Sequence, residues 1–440
     1  MMSNLSTPTP PPFCVCRYIG QHGPRVPDVP RTGFLLRWTR QDKKCTLTHV
    51  PHGPECWRGF APAHVVLRGV GRDPYVSAPT IPASVFMVFQ MMFACITPAL
   101  AFGAAAERTS LGSAIVFLFV WSTLVYDIVT CWVWGPHGWL ALLGVMDYAG
   151  GTPVHIASGA AAVAYALVLG KRKDAGSSNH TPHNVSFVFL GLALLWFGWF
   201  GFNGGSALAA NARSVQALIN THMSGCVGGM TWVLIDWGRT RKWSIVGFCT
   251  GAVAGLATIT PGAGFVSTSS SLVFGFVGAV VCNFAVACKK RFEFDDALDV
   301  FAIHYVGGFV GLTITGIFAE RAIIGLSYNP GDVVPSGGCL DGQCIQILIQ
   351  FAAIGTVSGW SFFITYAILW IMDKIPGLHL RLRQGEEELG TDLAQMGEHA
   401  YGFTLETKNP VDSNRRRTIL SFFREAPLVL EKTKEEGPEE

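Results

Sequence analysis

Charge is what this sequence has least of. Charged side chains make up 14% of its 440 residues, where a soluble domain carries about a quarter, so a water-soluble globule is a poor fit. The signs nearly cancel, to a formal net charge of +2, which says little about partners and gives no footing for nucleic acid. Catalytic patterns are missing too. No HExxH, P-loop, GxSxG or paired-carboxylate arrangement stands at a usable position, so an enzyme reading has no support and no cofactor is expected. Residues 1–80 lack any apolar run long enough for a span or a signal peptide; Pro-rich tracts (TPTPPPF) and arginines dominate there, and the segment is expected to be disordered or atypical. Cys14 and Cys16 find no second ligand pair at zinc spacing. Cys95, Cys131, Cys226, Cys249 and Cys282 lie in apolar stretches and are expected to be small buried hydrophobes. Cys339 and Cys344 bracket a loop, CLDGQC, that can close a disulfide if it faces an oxidising exterior.

What is present is hydrophobic length. Half of the residues are hydrophobic, and apolar runs of about 20 residues, enough to cross ~30 Å of hydrocarbon, recur along the chain. They are too continuous for barrel strands, which makes the class an all-α polytopic membrane protein. Nine spans are expected. They start with 84–106 and 112–134, and the third carries His155. The fourth contains LLWFGWFGFNGGSALAAN, and 214–237, 244–260 and 271–288 follow. The eighth carries His304, and the ninth is 345–372. The domains are then an N-terminal segment 1–80, a transmembrane domain 84–373 and a tail 374–440. Small-xxx-small pairs such as Gly247, Gly251 and Gly255, Gly225 and Gly229, and Gly307 and Gly311 read as close helix packing. Basic residues follow spans one, three, five and seven: Arg108; Lys171 to Lys173; Arg239, Arg241 and Lys242; Lys289 to Arg291. The positive-inside rule makes that side, and the tail with Arg415 to Arg417, cytoplasmic.

Two stretches organise the rest. DYAGGTPVHIASG runs from Asp147 and DALDVFAIHYVGG from Asp296; in each the aspartate lies eight residues before a histidine, His155 or His304, and a glycine, Gly159 or Gly308, lies four after it. Their helices run in opposite directions across the membrane, the mark of an inverted repeat with a site near the midplane. An intramembrane ionisable residue is costly and functional by default. Two imidazoles can share one proton and offer their free edges to a small polar guest; the bland alternative is a hydrogen bond that only glues helices. A metal site is the weaker idea, since no third intramembrane ligand is seen. Asp147 reads as an N-terminal cap of its helix, with Asp296 and Asp299 as counterparts. Phe89 and Phe93 share one helix face, as do Phe202 and Ser206, and Trp134 ends its span at a similar depth. For Trp132 and Trp139 an interfacial belt is the reading taken; for the others, a cation held by ring faces and a hydroxyl.

At these residues the sequence resembles the ammonium transporter family, the Amt/Mep/Rh group, and most its methylammonium-permease branch. The resemblance covers residues 84–405 through FQMMFACITPALAFGAAAER, DYAGGTPVHIASG, WFGWFGFNGGSALAAN, GAVAGLATITPGAGFV, DDALDVFAIHYVGG and GEHAYGF, in the family's order. It implies an ammonium-transporter fold with inverted repeats, of which about nine of the usual eleven transmembrane helices are present, assembled as a homotrimer in the plasma membrane lipid bilayer with a cytoplasmic C-terminus. It also implies roles: ammonium recruitment at Phe89, Phe93, Trp134 and Ser206; a gate of Phe93 and Phe202; pore histidines His155 and His304; structural support from Asp147. Some branch members carry an acidic residue at the first pore histidine, and this chain keeps His155. The two spans expected before FQMMF are not recognisable. A faulty gene model or unusual splice form is the preferred reading of that N-terminus, over a remnant with a breached subunit.

The expected function is ammonium transport: the ion binds at the aromatic site, sheds a proton, and ammonia passes the twin histidines while the proton crosses separately. Potassium can neither donate hydrogen bonds nor lose a proton. The alternatives are an ammonium sensor with little flux, or a non-functional truncated product. Thr418, in RRRTIL, resembles a basophilic kinase site.

Overall fold

The computed structural model describes residues 74–75, 77–173, 184–289 and 294–398. Most of the N-terminal segment, and the tail with Thr418, lie outside the described residues. A short antiparallel hairpin, β1 (Pro74–Tyr75) and β2 (Ala78–Pro82), runs straight into the first helix. The helices follow in order: α1 (Ala83–Gly103), α2 (Leu111–Trp121), α3 (Asp127–Trp134), α4 (Ala157–Leu169), α5 (Val185–Gly205), α6 (Ala212–Thr240), α7 (Ile245–Ile259), α8 (Thr268–Lys289), α9 (Val306–Phe318) and α10 (Ile345–Lys374). Three starts are capped as their sequences ask: Asn184 accepts from Phe187 N, Asn211 from Ser214 N and Ser244 from Gly247 N.

The count of spans corrects the sequence reading. Among the described residues, seven helical spans, not nine, are long and apolar enough to cross a membrane: Ala83–Gly103, Leu111–Leu143, Gly151–Leu169, Val185–Gly205, Thr268–Cys288, Phe301–Phe318 and Ile345–Lys374. The two that fall away fail for opposite reasons. α6 has 29 residues, but Arg213, Gln216, Asn220, Thr221, His222 and Ser224 crowd its first half. α7 is apolar but only 15 residues long. Both still belong to the packed body. α6 and α7 approach so closely that a Cβ on Gly228 would lie 2.5 Å from Gly251 O and 3.0 Å from Gly255 Cα. Small residues here let two backbones meet, the device available where lipid supplies no hydrophobic drive between helices.

Both histidines sit in π-helical turns, Gly151–Ile156 and Phe301–Tyr305, each continuing into a 13-residue helix, α4 and α9. The extra backbone residue of a π-turn rotates the side chains beside it, which is why such turns collect at functional sites. A third π-turn, Ser122–Tyr126, joins α2 to α3. The turns cross closely. A Cβ on Gly159 would lie 2.6 Å from Tyr305 N, and one on Gly308 would lie 3.0 Å from His155 Cβ. The glycine four residues after each histidine therefore lets the opposite turn come near. α4 is the centre of the body, packed against α1, α10 and the His304 turn, and its Tyr165 is buried in one cluster with Phe117, Trp121 and Leu369.

At the end of α4 away from Trp134, a polar network ties loops together. Asp295 accepts from Arg172 Nε at 2.8 Å and from Arg172 Nη2 at 3.0 Å, and its backbone oxygen accepts from buried Arg108 at 2.6 Å. Arg172 also pairs with Glu107. The chain after α10 joins in: Ser110 N donates to Leu380 O at 2.9 Å, Leu382 N to Arg108 O at 3.0 Å, and Arg381 Nη1 to Leu169 O at 2.9 Å. Burial opposes ionisation of Asp295, but the Arg172 hydrogen bonds and charge outweigh it and hold the carboxyl down to about 2. Asp392–Met396 forms a π-helical turn in a unit of its own. Cys339 and Cys344 are joined as a disulfide. Cys131, expected to be a plain buried hydrophobe, is also disulfide-bonded.

Candidate functional site

The site begins at a cavity of about 280 Å³ between the hairpin, the first half of α1 and the C-terminal ends of α3 and α5, lined by Phe89, Phe93, Trp134 and Ser206 together with Asp147 and Tyr148. Four of the expected recruitment residues thus share one space. Phe89 and Phe93 stand one helical turn apart on α1, with ring centroids 5.0 Å apart. Trp134 meets Phe93 edge-on at 5.6 Å. Its indole N–H is spent on Asp147 O at 2.9 Å, which fixes the ring. Ser206 donates to Phe202 O at 2.8 Å, which leaves its lone pairs for a guest.

Asp147 does not offer its charge to the cavity. Its Oδ1 accepts from Gly150 N at 2.9 Å and Gly151 N at 2.6 Å, and its Oδ2 from Thr152 N at 2.6 Å and Thr152 Oγ1 at 2.5 Å. Those are the orphan amides that open the His155 turn, and Gly150 supplies the positive φ of 115° that folds them back onto the carboxylate. Burial pushes the Asp147 carboxyl up, and the donors from Thr152, Gly151 and Gly150 oppose it. Asp296 accepts from Phe301 N at 2.8 Å in the same way, ahead of the His304 turn.

Behind the cavity the rings close up. Phe93 and Phe202 lie 4.3 Å apart, tilted by 37°, a contact of about 0.5–1.5 kcal/mol beyond its burial. Phe202 leads to His155, stacked at 6.3 Å. His155 and His304 face each other with Nδ1 to Nδ1 at 3.1 Å and ring planes 21° apart. One ring donates and the other accepts, so the pair holds a single proton between its Nδ1 atoms. His155 Nε2 is buried with no hydrogen-bond partner, an edge left for a polar guest.

The sequence reasoning missed four participants. Trp199 stacks on His155 at 5.7 Å; its signal was its place three residues before Phe202, one turn along the same face. Gln90 and Tyr148 line the cavity and are chain neighbours of Phe89 and Asp147. Ser77 also lines it, and nothing in a Pro-rich segment pointed there. Trp132, taken for an interfacial belt, packs against Trp360 at 5.2 Å and Trp139 at 6.2 Å. Among the described residues no group of three His, Cys, Asp or Glu is placed to hold a metal ion.

The sequence profile of the Ammonium Transporter Family matches residues 63–401. Ammonium transporter 1 of Schizosaccharomyces pombe is 48% identical over 348 residues, covering 79% of this chain and 70% of that protein. The crystal structure of Candida albicans Mep2 is 47% identical with a TM-score of 0.68, covering 74% of this chain and 72% of that one. A solved structure titled Sensor Amt Protein is 27% identical with a TM-score of 0.65, covering 78% of this chain and 87% of that one. The chain spans 64–70% of the length of four yeast relatives it matches.

Proposed function

The chain belongs to the ammonium transporter family, and from that membership we propose that it recruits ammonium at the Trp134 mouth and delivers ammonia to the His155–His304 pair. One observation carries the reading: a cavity with ring faces and lone pairs, a two-ring stack and a hydrogen-bonded pair of imidazoles touch in series. Ammonium, like a lysine amine with a pKa of about 10.4, is almost wholly protonated at pH 7. Ring faces and a hydroxyl hold such a cation well. An unpaired charge beyond the Phe93–Phe202 stack would cost many kcal/mol, so the ion gives its proton to water at the cavity, the proton crosses separately, and the neutral base goes on along the histidine edges. Potassium has no proton to shed.

A second observation bears on how much passes. Only 11% of the Val185–Gly205 span is buried inside the molecule, although this helix carries Phe202 and Trp199 beside the path and ends at Ser206. An open flank supports holding ammonium with little flux, as a sensor or as a transport-deficient product, and for this chain by itself that is the better reading. Its similarity to a protein titled a sensor agrees with it. We assign the protein to the plasma membrane, with the Arg172 end and the C-terminus cytoplasmic by the positive-inside rule. A homotrimer fits α6, whose exposed His222 is too polar to meet lipid and needs protein cover.

The test is to express the chain in cells lacking their own ammonium uptake, and to measure uptake together with ammonium binding by the purified protein. The expected result is binding with uptake far below that of the full-length S. pombe relative, and loss of the residual uptake in His155→Ala with His304→Ala. Uptake equal to the relative's would restore the full transporter reading. Uptake indifferent to the double replacement would remove the histidines from the path.

A further inference from the structure

The cavity's strong donors are already spent, on Phe202 O by Ser206 and on Asp147 O by Trp134, and both Asp147 oxygens are taken. Three other lining residues are different. Ser77 Oγ, Gln90 Oε1 and Tyr148 Oη are each buried with no hydrogen-bond partner, and Gln90 and Tyr148 are each 8% exposed. Buried oxygens left unpaired are costly and rare. Three around one cavity call for a guest that donates hydrogen bonds. The volume of about 280 Å³ is several times the ~30 Å³ share of a water molecule, so the guest has room for some of its water.

Resting on the reading above, we propose that Ser77, Gln90 and Tyr148 form an acceptor set that takes the N–H bonds of a partly hydrated ammonium ion before it reaches the ring stack. The set gives preference to cations bearing N–H over fully alkylated ones of the same charge. Ring faces alone do not, because they answer to charge. Each acceptor is held in place. The Tyr148 ring lies under the Arg213 guanidinium, 5.1 Å from its centroid, and Arg213 is itself anchored on Gly264 O at 2.7 Å. Gly264 presses on the same ring so closely that a Cβ there would lie 2.2 Å from Tyr148 Cε2. Ser77 stands beside β2, which Thr80 pins by donating to Leu208 O at 2.5 Å. Gln90 sits on α1 between the turns that carry Phe89 and Phe93.

The experiment is calorimetric titration of the purified full chain with ammonium chloride and, separately, tetramethylammonium chloride, for the parent and for Tyr148→Phe, Gln90→Leu and Ser77→Ala. Each replacement should weaken ammonium binding about tenfold, the scale of a hydrogen bond to a charged group. Tetramethylammonium, with no N–H, should move by less than about twofold. Phe93→Ala should weaken both, since it removes a ring face. Ammonium binding that persists at the parental ratio to tetramethylammonium in all three variants overturns the acceptor set and leaves the aromatic site standing. Absence of ammonium binding in the parent overturns that site and the acceptor set with it. If Gln90→Leu does not yield folded protein, Tyr148→Phe, which differs by one oxygen, decides.

Discussion

Two helices meet at His155 and are packed in opposite ways. The span that carries the histidine, Gly151–Leu169, has 83% of its window buried with a mean hydropathy of 1.5; its neighbour, Val185–Gly205, has 11% buried with a mean hydropathy of 2.0. The more hydrophobic helix is the less buried one. In water that order would be paradoxical. In lipid it follows, because the tails are as apolar as leucine and burial is won by small residues that let backbones approach. α4 is alanine-rich, with Gly159 at its closest approach, and accepts close neighbours along most of its surface. α5 presents Phe197 and Leu194 outward, 77% and 66% exposed, and buries only Leu192, Trp199, Asn203 and Gly204. The site takes one half from each: His155 from the buried span, and from the exposed one the Phe202 ring, with Ser206 just past its end.

The sharpest way to break that contrast is to make the same substitution in both helices. Gly159→Ala puts a methyl 2.6 Å from Tyr305 N, in backbone that cannot step aside. It should destabilise by about 2 kcal/mol or more and separate the two imidazoles. Gly198→Ala meets nothing within 4 Å and should be neutral, or stabilising by up to about 1 kcal/mol through helix propensity. Thermal unfolding of the detergent-solubilised variants reads both. Equal effects would show that α4 is no more tightly packed than α5.

The same contrast bears on what the sequence could and could not reveal. The meeting of the two histidines was legible because a lone titratable residue in an apolar helix is costly in lipid and wants a partner; His155 and His304 stood at matching positions, and Gly159 and Gly308 marked the crossing. The count of spans was not legible. Hydrophobic length alone made α7 look sufficient at 15 residues, and the polar half of α6 was read through as if it faced lipid. Trp199, Gln90 and Tyr148 were passed over because each stood beside a residue with a stronger pattern. Ser77 carried no signal, since its place depends on a hairpin whose pairing no local periodicity announces.

A smaller effect should come from loosening α5 alone. Three polar tethers hold it: Trp199 Nε1 donates to Thr260 Oγ1 at 3.0 Å, Asn203 Nδ2 to Thr221 Oγ1 at 2.9 Å, and Ser214 Oγ to Gly204 O at 2.7 Å. Trp199→Phe keeps a ring beside His155 and removes one tether, a loss of about 1 kcal/mol. Hydrogen–deuterium exchange should rise along Val185–Gly205 and stay unchanged along Ala157–Leu169. A rise in both would mean the two helices move as one.

The smallest effect at neutral pH concerns the far end of α4. Its C-terminal side is tied down by Arg172 on Asp295, and the paired charge holds the Asp295 carboxyl down to about 2, below an unfolded value of about 3.9. A depressed carboxylate stabilises the fold fully above the unfolded value and loses that contribution as pH falls through the folded one. The unfolding midpoint should therefore be insensitive to this pair between pH 5 and 8, and should drop as pH goes from about 4 to about 2. Arg172→Gln removes the partner that depresses the carboxyl, so its midpoint should lie slightly below the parent's at pH 7 and converge on it near pH 2. A constant gap at every pH would mean that Arg172 acts through packing of its stem and not through Asp295.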